Sequence, residues 1–155
     1  MTKARTLADF DPSAQVGNTN TPAFRAYLNT AQNLSSGSQQ LVNFNGESFD
    51  TDNKYDNTTY RFTPTVAGHY FLKAMVTFAS SADFNHALVA IYKNGSNAAI
   101  ATSEHDNYNS VAVSTMIDAD ADDYFEVKAY QNNGSSIGLV VDESKTYFMG
   151  YKIIT

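Results

Sequence analysis

Six positions between residues 44 and 70 constrain this chain more than any other feature. They are Phe44, Asp50, Tyr55, Phe62, Gly68 and Tyr70, at gaps of six, five, seven, six and two. The residues between them are mostly Asn, Asp, Thr, Glu and Lys. Large rings at wide intervals in a polar background suit a β-sandwich with short strands and long loops. Each ring buries a large apolar area at one point of the core.

The rest of the chain alternates with period two. Phe24, Ala26 and Leu28 alternate with Arg25, Tyr27 and Asn29, which predicts a first strand. Residues 33–40 read as a Ser/Gly loop, and 41–44 and 60–63 as short strands. The clearest strand spans 69–78, with Tyr70, Leu72, Ala74, Val76 and Phe78 on one face. Further strands are expected over 86–93, 98–102, 111–117, 124–131, 137–141 and 145–154. Asn94-Gly95 is a hairpin turn signal. Residues 118–123 form an acidic turn and 132–136 an Asn/Gly/Ser turn. About ten short strands with almost no helix predict an all-β sandwich or jelly roll.

Two segments organise the chain. Residues 23–155 read as a single domain. Residues 1–22, broken by Pro12, Gly17 and Pro22, read either as an unstructured leader or as a tether that docks elsewhere. The chain has no cysteine, which excludes disulfides and thiolate zinc sites and suits folding in a reducing cytoplasm. No signal-peptide h-region is visible at the N-terminus, and no apolar run approaches a membrane span. With 16 acidic against 10 basic residues, net charge −6 and no basic cluster, phosphate-mediated nucleic-acid binding is not expected.

Several strands carry apolar residues on both faces. The 69–78 strand keeps Phe71 and Met75 opposite its core stripe, and the last strand is apolar on both sides. One sandwich core uses only one face of a strand. The surplus calls for self-association, or for cover by the leader or a loop.

The 44–70 positions resemble the signature of the globular head of complement component 1q, whose jelly roll is shared with the tumour necrosis factor superfamily. Leu72 and Ala74 depart from that signature, standing where it carries aromatics. Lys93-Asn94-Gly95, Asp122-Asp123-Tyr124-Phe125 and Tyr147-Phe148-Met149-Gly150-Tyr151 resemble later landmarks of the family, with Asp122 in place of a usual Gly. The resemblance covers residues 23–155 and implies a ten-stranded jelly roll packed as a homotrimer. Carried over by position, it turns Phe71, Met75, Ala112, Met116 and Phe148 toward the threefold axis. It puts Tyr70, Val113 and Tyr151 in the sandwich core.

Chemistry is sparse. The three histidines show no zinc spacing, and no nucleophile motif or phosphate loop is present, so no enzyme is expected. Asp118, Asp120, Asp122 and Asp123 offer hard oxygen ligands for calcium, although the run is not an EF-hand. No other cofactor is expected. The receptor-binding candidates lie in polar loops: Asn94, the cluster Glu104, His105, Asp106 and Tyr108, and Asn133.

Residues 3–10 are similar to short segments that precede domains in bacteriophage tail-fibre and appendage proteins. The expected function is therefore a trimeric, non-enzymatic virion head that recognises a host-surface glycan or protein. Residues 1–22 would contact other virion proteins. The alternatives are a virion cap without a ligand, or an extracellular trimeric ligand of the complement and tumour necrosis factor type.

Overall fold

The computed structural model describes residues 20–79, 86–103 and 110–153. They form β1 (Ala23–Tyr27), β2 (Asn33–Leu34), β3 (Gln40–Leu41), β4 (Gly46–Asp50), β5 (Tyr55–Asp56), β6 (Arg61–Phe62) and β7 (Gly68–Thr77). After these come β8 (Ala87–Lys93), β9 (Ser96–Ser103), β10 (Ser110–Ala119), β11 (Phe125–Gln131), β12 (Ile137–Gly138) and β13 (Tyr147–Lys152). No described helix is long and apolar enough to cross a membrane.

One sheet runs β10-β7-β13-β1-β4. The other runs β5-β6-β11-β8-β9, with β3 also on β11. The pair β12-β2 is separate. Every pairing is antiparallel, and the first and last strands lie side by side. The strand order forces the chain to cross repeatedly between sheets, which is the jelly-roll arrangement.

The spaced aromatics meet between the sheets. Phe24 of β1 stacks on Phe62 at 4.3 Å and on Tyr55 at 5.2 Å. Phe44, Phe62 and Tyr70 are wholly buried, and Tyr55 nearly so. The Tyr55 hydroxyl donates to the Phe44 carbonyl at 2.9 Å, and the Tyr70 hydroxyl to the Val66 carbonyl at 2.7 Å. Asp50 and Gly68 act on the backbone instead. The Asp50 carboxylate accepts the Tyr55 N–H at 2.7 Å, so it fixes where the next ring enters the core. Gly68 has φ 149°, a region open to glycine, and a Cβ there would meet the Lys152 side chain at 2.7 Å.

The predicted stripe on β7 is buried from Tyr70 to Phe78, and Asn94 and Gly95 both take positive φ, as a two-residue hairpin requires. Two elements escape the alternation. Strand β4 is an edge strand with three of five residues exposed, so it carries no apolar period. The short β2 lies within the expected Ser/Gly loop and is held by pairing with β12, a contact distant in sequence.

Candidate assembly face and recognition loops

Directly paired residues on neighbouring strands share a face. The register therefore lists what the first sheet turns outward. Met116, Phe71 and Tyr151 form one row. Ser114, Lys73, Met149, Arg25 and Phe49 form the next. Ala112, Met75, Tyr147 and Tyr27 form a third. The Phe71 and Tyr151 rings lie 5.5 Å apart. The Arg25 guanidinium sits 4.2 Å over the Tyr147 ring, and its Nη2 donates to the Glu143 carbonyl at 2.6 Å. His69 and Asp118 pair at one end of the face. Met116 is 73% exposed and Phe49 48%, so the single chain leaves large apolar groups in water.

Phe71, Met75, Ala112 and Met116 take the expected outward positions. Phe148 does not. It is wholly buried, edge-on to Phe24 at 4.9 Å, and belongs to the core. Its cross-strand partners explain why. Ala74 on β7 and Ala26 on β1 flank it and leave room for the ring. In the adjacent inward row Gly150 lies between Leu72 and Phe24, where a Cβ would stand 2.5 Å from the Leu72 side chain. Tyr151, expected in the core, faces outward with Tyr147 and Met149. Tyr70 and Val113 lie in the core as expected. Phe49 was not singled out from sequence, and Arg25 and Tyr27 were read only as alternating with the core stripe of β1.

The recognition candidates do not form one cluster. Asn94 lies where Lys93 of β8 meets Phe125 of β11, while Asn133 lies beyond the opposite end, where Ala87 meets Gln131. The Asn94 side chain is committed within the fold. Its amide donates to Asp123 Oδ1 at 2.6 Å, and its oxygen accepts the Tyr124 N–H at 3.0 Å. Asn133 is half-buried, with its N–H on Gln131 Oε1 at 2.7 Å. Glu104, His105, Asp106 and Tyr108 lie outside the described residues.

The four acidic-turn carboxylates do not gather into the ligand set expected for calcium. Asp123 is buried, and its oxygens take the Asn94 amide, the Asp120 N–H at 2.7 Å and Lys93 Nζ at 2.7 Å. Asp118 faces His69. Among the described residues no three His, Asp or Glu side chains are placed to hold a metal ion.

Residues 23–153 match the C1q domain. The chain belongs to the C1q domain family. The globular domain of zebrafish complement 1qA superposes with TM-score 0.60 at 16% identity, covering 86% of this chain and 98% of that one. Murine APRIL gives TM-score 0.67 at 12% identity, covering 84% and 98%. The Eiger TNF of S. frugiperda gives 0.59 at 12%, covering 84% and 91%. At these identities the likeness speaks to the fold alone. No curated protein matches this chain in sequence. C1q and TNF-like domains are homotrimeric ligand-binding modules without enzymatic activity.

In this C1q domain Asp123 ties the β8–β9 turn to the β10–β11 turn. Burial opposes its charge, but Lys93, the Asp120 N–H and Asn94 outweigh it and hold the carboxyl below its ordinary 3.8. Asp123→Asn is expected to cost about 1–3 kcal/mol at neutral pH, because Lys93 loses its anion. A carboxyl depressed in the folded state stabilises above its unfolded value, and that contribution fades as pH falls through the folded one. Denaturant unfolding at neutral pH and at about pH 3 checks this. The gap between wild type and variant narrows in acid, and an unchanged gap refutes the assignment.

Proposed function

We propose that this C1q domain is a non-enzymatic homotrimeric binding module that presents three copies of its loops to a host-surface glycan or protein. The outward face of the β10-β7-β13-β1-β4 sheet carries the reading. Its rows carry Phe71, Met75, Met116, Met149 and Tyr151, apolar and aromatic residues that the sandwich core does not use, around the polar Ser114, Lys73 and Arg25. Packing three such faces together removes them from water. It also sets three identical ligand-binding ends side by side, so that weak contacts combine through effective concentration.

We place the module at the head of a bacteriophage tail fibre or appendage, with residues 1–22 joining other virion proteins. The likeness of residues 3–10 to segments that precede domains in such proteins supports this placement. So does a cysteine-free, acidic composition suited to folding in a reducing cytoplasm.

Sedimentation of the full chain at micromolar concentration is expected to give three times the monomer mass, and a monomer defeats the assembly. Labelled protein is expected to bind intact host bacteria and to lose binding when residues 132–136 are replaced by a Gly/Ser linker. A trimer that binds no cells, with or without that loop, is a cap and not a receptor-binding head.

A further inference from the structure

A polar recess of about 430 Å³ opens at the edge of the sandwich, between β4 and the segment 53–65. Its frame is rigid. Tyr55 forms part of the lining but is 5% exposed, tied by its hydroxyl to Phe44 and by its N–H to Asp50. The Asp56 carboxylate accepts the N–H and hydroxyl groups of both Thr58 and Thr59, which pulls its pKa down to about 2. The Thr63 N–H donates to the Lys54 carbonyl at 2.8 Å and closes the segment on itself. Asn53, Tyr60 and Thr65 hold φ of 53°, 60° and 59°. Such left-handed backbone at non-glycine residues concentrates at ligand clamps and other functional sites.

The remaining lining groups are unused. Glu47, Asn53, Lys54, Asn57, Thr63 and Thr65 direct no side-chain hydrogen bond or ion pair to any other described residue. Together they offer two amides, two hydroxyls, one carboxylate and one ammonium. Amides and hydroxyls both donate and accept, as the hydroxyls of a sugar ring do. The volume lies in the range of small-ligand sites. Charge narrows the ligand further. The lining carries two carboxylates, Glu47 and Asp56, against one ammonium, Lys54, which disfavours anionic ligands. Partial burial first, then Asp50 and Asp56, raise the Glu47 carboxyl above its ordinary 4.5 and report the same negative field. With the Tyr55 ring buried, no open aromatic platform lines the recess for a nucleobase.

We infer that this recess binds a neutral hexopyranose unit of a glycan. The inference deepens the binding-module reading by naming a ligand class. The lining residues named all come from one chain.

The test is an amide-shift NMR titration of the full chain with the methyl α-pyranosides of glucose, galactose and mannose. Glucuronate serves as the anionic control. At least one neutral glycoside is expected to shift residues 53–57 and 63–65 and to bind more tightly than glucuronate. Asn57→Ala combined with Thr63→Val is expected to weaken it about tenfold or more. Neither side chain has a described partner to lose, so the variant stays folded, which its own amide spectrum verifies. No shift with any neutral glycoside overturns the inference. So does glucuronate binding as tightly, or an undiminished affinity in the variant. Shifts confined to residues 132–136 overturn this recess while leaving the binding module intact. A monomeric protein that still binds sugar here overturns the trimer alone.

Discussion

Phe148→Ala is expected to lower the unfolding free energy by about 3–5 kcal/mol, the usual loss for a buried Phe truncated in a core. That is a large part of the about 5–15 kcal/mol that holds a typical domain together. The ring touches the aromatic cluster on three sides, with Phe24 at 4.9 Å, Phe44 at 6.2 Å and Tyr55 at 6.4 Å. It also bridges the two small residues Ala26 and Ala74, so nothing nearby collapses into the cavity. Tyr151→Ala, on the outward face of the same strand, is the comparison. It removes a ring whose aromatic partner among the described residues is Phe71 and is expected to cost about 0.5–1.5 kcal/mol in the isolated chain. Denaturant melts at matched concentration measure both, since assembly adds to apparent stability. A larger loss from Tyr151 than from Phe148 would show that the last strand faces the other way.

The second large effect concerns assembly. Phe71→Asp is expected to leave the sandwich folded and dissociate the trimer. Phe71 points away from the core, between Met116 and Tyr151 in its row, so the chain loses only one ring contact. The assembly loses three buried rings. At about 1.5 kcal/mol or more for each, dissociation is favoured about a thousandfold or more. A carboxylate in the same place adds a desolvation cost. Sedimentation reads the mass and far-ultraviolet circular dichroism the strand content. Met116→Asp repeats the test at a side chain that is mostly in water, where no loss of core packing confuses the result. Trimers that survive both substitutions would place the subunit contacts on another surface.

Much of the fold was legible because its signals are local. Period two on β7 follows from one strand having a wet side and a core side, and it needs no knowledge of the partner strands. The Asn94-Gly95 turn is equally local, since both residues must take positive φ. Strand β4 was illegible for the opposite reason. At a sheet edge its side chains are mostly solvated, and only pairing with β1 makes it a strand. The recess was illegible because its polar lining residues Glu47, Asn53, Lys54, Asn57, Thr63 and Thr65 belong to no motif. Their polar groups converge only once β4, at the edge of one sheet, and β5, at the edge of the other, are folded into place.

The sequence alone determined an all-β sandwich or jelly roll and most of the rings that fill its core, and it showed apolar residues on a second strand face. Those properties follow from alternation and from large residues at fixed intervals. It could not determine which side of the last strand faces in, because residues 147–151 are apolar on both sides. Tertiary structure decided that. Phe148 turns inward because Ala26 and Ala74, from two other strands, leave a ring-sized space there, and Gly150 fits between Phe24 and Leu72. Packing of neighbours distant in sequence resolved what periodicity left degenerate, and it turned Tyr151 outward.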